Sequence, residues 1–201
     1  MLTEFRVACA ITAWLAPGAM VAAQALAPGR LPLNFSEPAP CVAPAAHYHG
    51  VNPWVLRAIL KVESDFQPGA VHRNANGSLD LGMAQINSIH FSELAAWGIA
   101  PANLMDGCVS TYVAAWHLAR QLRKHGNSWF GVASYHSASP CQNARYAALL
   151  WNALWSWGVV SGARMNVVPL KACIYREPGL QRGRPAPDAR AAPALAFDEG
   201  P

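Results

Sequence analysis

Asn52-Pro53-Trp54-Val55-Leu56-Arg57-Ala58-Ile59-Leu60-Lys61-Val62-Glu63-Ser64 reads as one helix with its own punctuation. Asn52 is an N-cap residue, and Pro53 takes the first helical position, where its missing N–H costs nothing. Trp54, Val55, Leu56, Ile59, Leu60 and Val62 follow at helical spacing. Glu63 comes four residues after Ile59 and three after Leu60, so it falls on the apolar stripe at the helix's C-terminal end. A carboxylate there loses hydration and faces the negative pole of the helix, and both effects favour its protonated form. A carboxylic acid protonated near neutral pH is what a general acid needs. The same spacing also allows a frayed end with Glu63 turned to water.

Outward from this helix the punctuation remains helical. A second helix is expected over Ser88 to Trp97, stopped by Gly98. A third spans Asp106 to His125, with Cys108, Tyr112, Ala115, Ala119 and Leu122 along one stripe and Arg120, Arg123 and Lys124 at the end that favours cations. Asn127 or Ser128 caps a short fourth through Trp129 and Val132. Ser139-Pro140-Cys141-Gln142 has the form of a capping box opening a fifth helix that stops at Gly158. No alternating strand is evident, so the expected fold class is all-α, a globular, mainly helical domain.

The 201 residues suffice for one core with extensions. Arg6 precedes an apolar run from Val7 to Ala23, and Ala23-Gln24-Ala25 supplies small residues at signal-peptidase spacing. Residues 1–25 are therefore expected to be a signal peptide, with an uncleaved membrane anchor as the alternative; Pro17-Gly18 argues against a span. Residues 26–40 are a proline-rich linker, residues 41–173 the folded domain, and residues 174–201 a flexible tail rich in Pro, Arg and Ala. The net charge of +4 suits an anionic polymer or lipid surface and leaves no nucleic-acid footprint. Of five cysteines, Cys9 lies in the signal. Cys41, Cys108, Cys141 and Cys173 remain, an even set without a CxxC pair that suits two disulfides over a zinc site, with three connectivities open.

Carboxylates are scarce in the folded part: Glu63, Asp65, Asp80, Glu93 and Asp106, with Glu37 in the linker. Asp106 reads as an N-cap and Glu93 as a surface residue. Asp80, after the polar stretch Asn74-Ala75-Asn76-Gly77-Ser78, reads as a turn organiser. Asp65 lies just past the first helix.

Three motifs single out Glu63. Val62-Glu63-Ser64, Gly82-Met83-Ala84-Gln85-Ile86-Asn87 and Ala133-Ser134-Tyr135-His136, in that order and spacing, resemble the motifs of the lysozyme-like lytic transglycosylases over about residues 41–158. The stretch from Asn87 to Cys108, with His90-Phe91, Leu94, Trp97-Gly98-Ile99 and Asn103-Leu104, is similar to the small transglycosylases attached to secretion and conjugation machines. The resemblance implies a lysozyme-like helical domain with a cleft that cleaves the β-1,4 bond between N-acetylmuramic acid and N-acetylglucosamine in peptidoglycan. It implies that Glu63 protonates the glycosidic oxygen and then acts as base toward the muramoyl 6-hydroxyl, which closes a 1,6-anhydro ring. One carboxylate then suffices, where the usual glycosidase needs two.

By the same resemblance, Gln85 and Asn87 line the cleft and bind substrate, and Tyr135 brings its hydroxyl toward the catalytic carboxylate. Ser64 closes the helix end, and Gly82 is a structural residue near the site. Loop stabilisation is the alternative for Gln85 and Asn87, and an ordinary core tyrosine the alternative for Tyr135. Relatives carry a paired cysteine where Cys41 and Cys108 stand, which leaves Cys141 and Cys173 to pair by default. The expected protein is a periplasmic monomer acting on peptidoglycan, serving a secretion, conjugation or pilus apparatus, with no metal and no cofactor. Ala84 stands where the family commonly has methionine, His136 where it has asparagine, and Ser137-Ala138-Ser139 where it has an Ala-Gly pair. A non-catalytic wall-binding module and a water-using muramidase are the competing functions. The muramidase is disfavoured by the want of a clear second carboxylate. His47-Tyr48-His49 has no third ligand for a metal, and the tryptophans read mostly as core.

Overall fold

The computed structural model describes residues 41–174. The signal, linker and tail expected from the sequence lie outside these residues. Asn52 Oδ1 accepts from the backbone N–H groups of Trp54 and Val55 at 2.9 and 3.1 Å, starting the helix α2 (Pro53–Ser64). Val55, Leu56, Ala58, Ile59 and Leu60 are its buried face. Asp65, in the left-handed region at φ 54°, turns the chain away one residue after Ser64 and donates its N–H back to Lys61. A helix not assigned from the sequence, α1 (Val42–His49), precedes it and ends at Gly50.

The axis of the domain is the helix α4 (Gly107–His125), capped by Asp106 Oδ1 accepting from Val109 N–H at 2.9 Å. Ser110, Val113, Ala114, Ala115, Leu118 and Ala119 are buried along it. Small residues on this stripe let neighbours approach closely, and α1, α2 and the short α5 (Trp129–Ala133) all pack on α4. Ser128 caps α5 by accepting from Gly131 N–H at 3.1 Å. The last long helix, α6 (Pro140–Ser156), lies against α2 and α5, and the short α7 (Leu170–Ile174) packs on α6.

Three local expectations differ from what is found. The helix expected over Ser88–Trp97 divides into a 3-10 turn, Ser88–His90, and a five-residue α3 (Phe91–Ala95). Asn87 Oδ1 caps the 3-10 turn by accepting from Ile89 N–H, and i→i−3 bonds tighten the segment again before Gly98. The capping box at Ser139 does not form. Ser137 Oγ accepts from the Ser139 N–H at 3.1 Å, the bond that Gln142 would have had to make, and the Ser139 side chain caps nothing.

The third difference is a small antiparallel sheet of order β1-β2-β3: β1 (Val71–Arg73), β2 (Leu79–Leu81) and β3 (Ile86–Asn87). Its register pairs His72 with Asp80, Asp80 with Asn87 and Leu81 with Ile86. The β2–β3 turn depends on Gly82 at φ 76°. A Cβ there would stand 1.9 Å from the Leu104 carbonyl oxygen, so the residue the motif places near the site is fixed by close backbone approach.

Two disulfides join the pieces. Cys41–Cys108 ties the start of α1 to the start of α4, and Cys141–Cys173 ties α6 to α7. They close loops of 67 and 32 residues, each worth about 4 kcal/mol in the chain-entropy account.

Candidate active site

The C-terminal end of α2 opens into a cleft of about 1040 Å³, and Glu63 stands in it. One wall is the small sheet, with Asn74, Ser78, Asp80, Gln85 and Asn87; the other is the turn from Ser134 to Ala138 between α5 and α6. His117, Gln121, Lys124 and His125 of α4 continue the cleft beyond the 3-10 turn.

The Glu63 carboxyl lies deep. Loss of hydration raises its pKa from 4.5 to about 7, against the Tyr146 hydroxyl, which favours the charged form, and together with the negative charge of Asp80. Tyr146 Oη donates to Glu63 Oε1 at 2.5 Å. Tyr146 is itself buried in α6, and burial with the nearby Glu63 carboxylate pushes its own pKa well above 10. The tyrosine therefore stays protonated and orients the acid without competing for its proton. With its pKa raised to about 7, Glu63 can keep its proton near neutrality, which is the condition a general acid must meet.

Around this pair the motif residues take different tasks. Ser64 Oγ donates to the Met83 carbonyl at 2.7 Å and accepts from Gln67 N–H at 3.1 Å, so it locks the helix end to the Gly82–Gln85 turn. Gln85, at φ 49°, donates its amide to the carbonyls of Ala70 and Gly82. Asn87 donates to Ser78 Oγ at 3.1 Å and Asp80 Oδ1 at 2.6 Å. Both side chains line the cleft while their amide N–H groups hold the sheet and its turns. The Tyr135 hydroxyl donates to the Ala84 carbonyl at 2.9 Å and stands near enough to Glu63 for that charge, after burial, to raise its pKa, while the hydrogen bond to the carboxylate comes from Tyr146. Ala84 is fully buried, and its carbonyl serves as the tyrosine's anchor.

Asp80 has a larger part than turn chemistry suggested. It accepts from Asn74 at 2.8 Å as well as from Asn87, and so organises the hairpin as expected, but its strand also carries it into the cleft with Glu63. Asp80 is thus a second carboxylate in the cleft, which corrects the expectation that a muramidase would want for one. The signal was present: Asn76-Gly77 between short polar–apolar segments is a hairpin marker, and a hairpin puts Asp80 on a wall. For Tyr146 no comparable signal exists. It sits among core residues of α6, 83 residues after its partner.

On the opposite wall, Asn143 is buried, and its amide donates to the carbonyls of Phe130 and Ser137 and to Ser134 Oγ at 2.9–3.2 Å. His136 projects from this wall and stacks on Tyr146, with centroids 4.9 Å apart and planes at 12°. Farther along, burial lowers the pKa of His117 to about 4, and its Nε2 meets the Tyr135 carbonyl at 3.2 Å.

Comparison with known proteins agrees with this geometry. The family model described as "Transglycosylase SLT domain" matches residues 40–148, more than half of the chain. The invasion protein IagB of Salmonella typhimurium is 35% identical over 118 residues, 56% of this chain and 74% of the relative. The X polypeptide of Escherichia coli is 36% identical over 156 residues, 74% of this chain and 91% of the relative. Protein IpgF of Shigella flexneri is 32% identical over 102 residues, 50% of this chain and 67% of the relative. The chain belongs to the SLT transglycosylase family. Its fold is the lysozyme-like helical domain of that family, and its activity is that of a lytic transglycosylase on peptidoglycan.

Proposed function

We propose that this protein cleaves the β-1,4 bond between N-acetylmuramic acid and N-acetylglucosamine and leaves 1,6-anhydro-N-acetylmuramic acid ends. The observation that carries the reading is the Glu63 carboxyl, half-buried in the cleft, with its pKa raised to about 7 by loss of hydration and held by Tyr146. Glu63 gives its proton to the glycosidic oxygen as the C1–O bond breaks. The resulting carboxylate then takes the proton of the muramoyl 6-hydroxyl as O6 bonds to C1. The acid is regenerated and no water is consumed. Gln85 and Asn87 face the sugar from the sheet wall, and their carbonyl oxygens are suited to accept from acetamide N–H and hydroxyl groups.

A second reading is favoured by one observation, the presence of Asp80 in the same cleft. With Asp80 as base or nucleophile, water replaces the 6-hydroxyl and the enzyme is a muramidase. Mass spectrometry of soluble muropeptides separates the two. Anhydro ends from the wild type and none from Glu63→Gln support the first reading; reducing ends support the second.

The place of action in this proposal is the periplasm, reached through the N-terminal signal. The role is local opening of the wall for a secretion, conjugation or pilus apparatus. The name of the Salmonella relative, an invasion protein, supports that role. Among the described residues no helix is long and apolar enough to cross a membrane. Deleting the chromosomal copy and measuring assembly of each apparatus tests the role; unchanged assembly would reject it.

A further inference from the structure

We propose that the open face of the His136 imidazole is the sugar-stacking platform of the cleft, an inference that rests on the glycan-cleaving function proposed above. A pyranose has one face of C–H groups, and proteins meet such a surface with a flat ring. Among the described residues lining this cleft there is no tryptophan or phenylalanine, and the one tyrosine, Tyr135, is 8% exposed with His117 against it. The tryptophans Trp97 and Trp116 line a separate apolar pocket.

His136 is placed differently from the other histidines of the cleft. His90 and His117 pack on each other, His125 meets Phe130 edge-on, and His72 is exposed on β1 without a neighbouring ring among the described residues to fix its plane. His136 alone lies parallel to a tyrosine, with one face against the buried Tyr146 ring while the residue is exposed on the cleft side. Because Tyr146 is 2% exposed and fixed in the core, it sets the plane of the imidazole before any ligand arrives. A ring oriented in advance loses little entropy on binding. Tyr146 also holds Glu63, so platform and acid are mounted on one side chain. A sugar lying on His136 is thereby presented beside the acid.

The surroundings keep the ring neutral. Burial and the Arg145 charge lower the His136 pKa, against the opposing charge of Asp80. A neutral imidazole can stack on C–H groups and still offer one donor and one acceptor to hydroxyls.

The test is calorimetric binding of a peptide-free tetrasaccharide of alternating N-acetylglucosamine and N-acetylmuramic acid to the Glu63→Gln protein, which holds ligand without turnover. Adding His136→Ala is expected to weaken binding about tenfold, and His136→Phe to restore it to within about threefold. In the Glu63 background, His136→Ala raises KM by a similar factor and changes kcat little. Equal affinity of the His136→Ala and parent proteins overturns the platform, as does a His136→Phe protein no better than His136→Ala. A tetrasaccharide that does not bind the parent also overturns it. If the tetrasaccharide binds as expected while the wild type releases no muropeptides, the catalytic proposal fails and the platform stands.

Discussion

The hydroxyl of Tyr146 lies 2.5 Å from Oε1 of Glu63, joining α6 to the end of α2 across 83 residues of sequence. This bond favours the carboxylate, whereas burial and Asp80 favour the acid, and the balance sits near neutrality. Tyr146→Phe removes the hydrogen bond that favours the charged form. Its pH–activity profile should keep its shape while the basic limb moves to higher pH. Loss of orientation should lower kcat by roughly 10- to 100-fold. A basic limb that stays in place in Tyr146→Phe would sever the link between this hydroxyl and the acid.

Glu63→Gln should abolish release of muropeptides and should also alter stability in a pH-dependent way. The folded-state pKa of Glu63 is raised, so the folded protein binds this proton more tightly than the unfolded chain. Its contribution to stability is fully present below about pH 4.5 and is lost as pH rises through about 7. Above that pH the buried carboxylate costs up to about 3 kcal/mol. Urea denaturation should therefore find Glu63→Gln more stable than wild type at pH 8 and nearly equal to it at pH 4.5. Equal differences at both values would mean that the carboxyl is not desolvated.

Asp80→Asn keeps the shape of the side chain and removes its charge. Because that charge raises the Glu63 pKa, the basic limb of activity should shift to lower pH. If the 6-hydroxyl of the substrate is the nucleophile, turnover at the optimum should fall by about tenfold or less. A loss on the order of a thousandfold, with reducing-end products from the wild type, would identify Asp80 as a catalytic partner.

Gly82→Ala should destabilise the protein by about 3 kcal/mol or more. The new Cβ meets the Leu104 carbonyl at 1.9 Å, and the φ of 76° is strained for alanine. Thermal unfolding measures the loss directly. A change below about 1 kcal/mol would show that the turn can move away from Leu104.

Much of the frame was legible in the sequence because capping chemistry is local. Asn52, Asp106 and Ser128 each cap the helix that their position announced. A carboxylate on an apolar stripe is an anomaly within one helix, which made Glu63 a candidate, but the spacing also allowed a frayed end, and the three motifs were needed to single it out. The sheet escaped notice because its strands are two or three residues long and β1 is exposed throughout, leaving no alternation to read. Tyr146 escaped for a different reason: the contact that defines it is tertiary, and a tyrosine in a core helix looks the same with or without a carboxylate opposite. The helix expected from Ser88 onward was shortened by Asn87, whose side chain caps a 3-10 turn while its amide holds the hairpin.

Asn143 holds the second wall from beneath through the backbone carbonyls of Phe130 and Ser137 and the Ser134 hydroxyl, and none of these bonds is made to the side chains at 136 or 138. Of the chain's departures from its family's pattern, His136 and the residues after it fall on that stretch, whereas Ala84 lies in the β2–β3 turn. The wall thus behaves as a bracket with exchangeable fittings. New side chains can be tried at 136 and 138 without removing the bonds that hold the loop, so the fittings of this wall can change while the hydrogen bond between the acid and its tyrosine is kept.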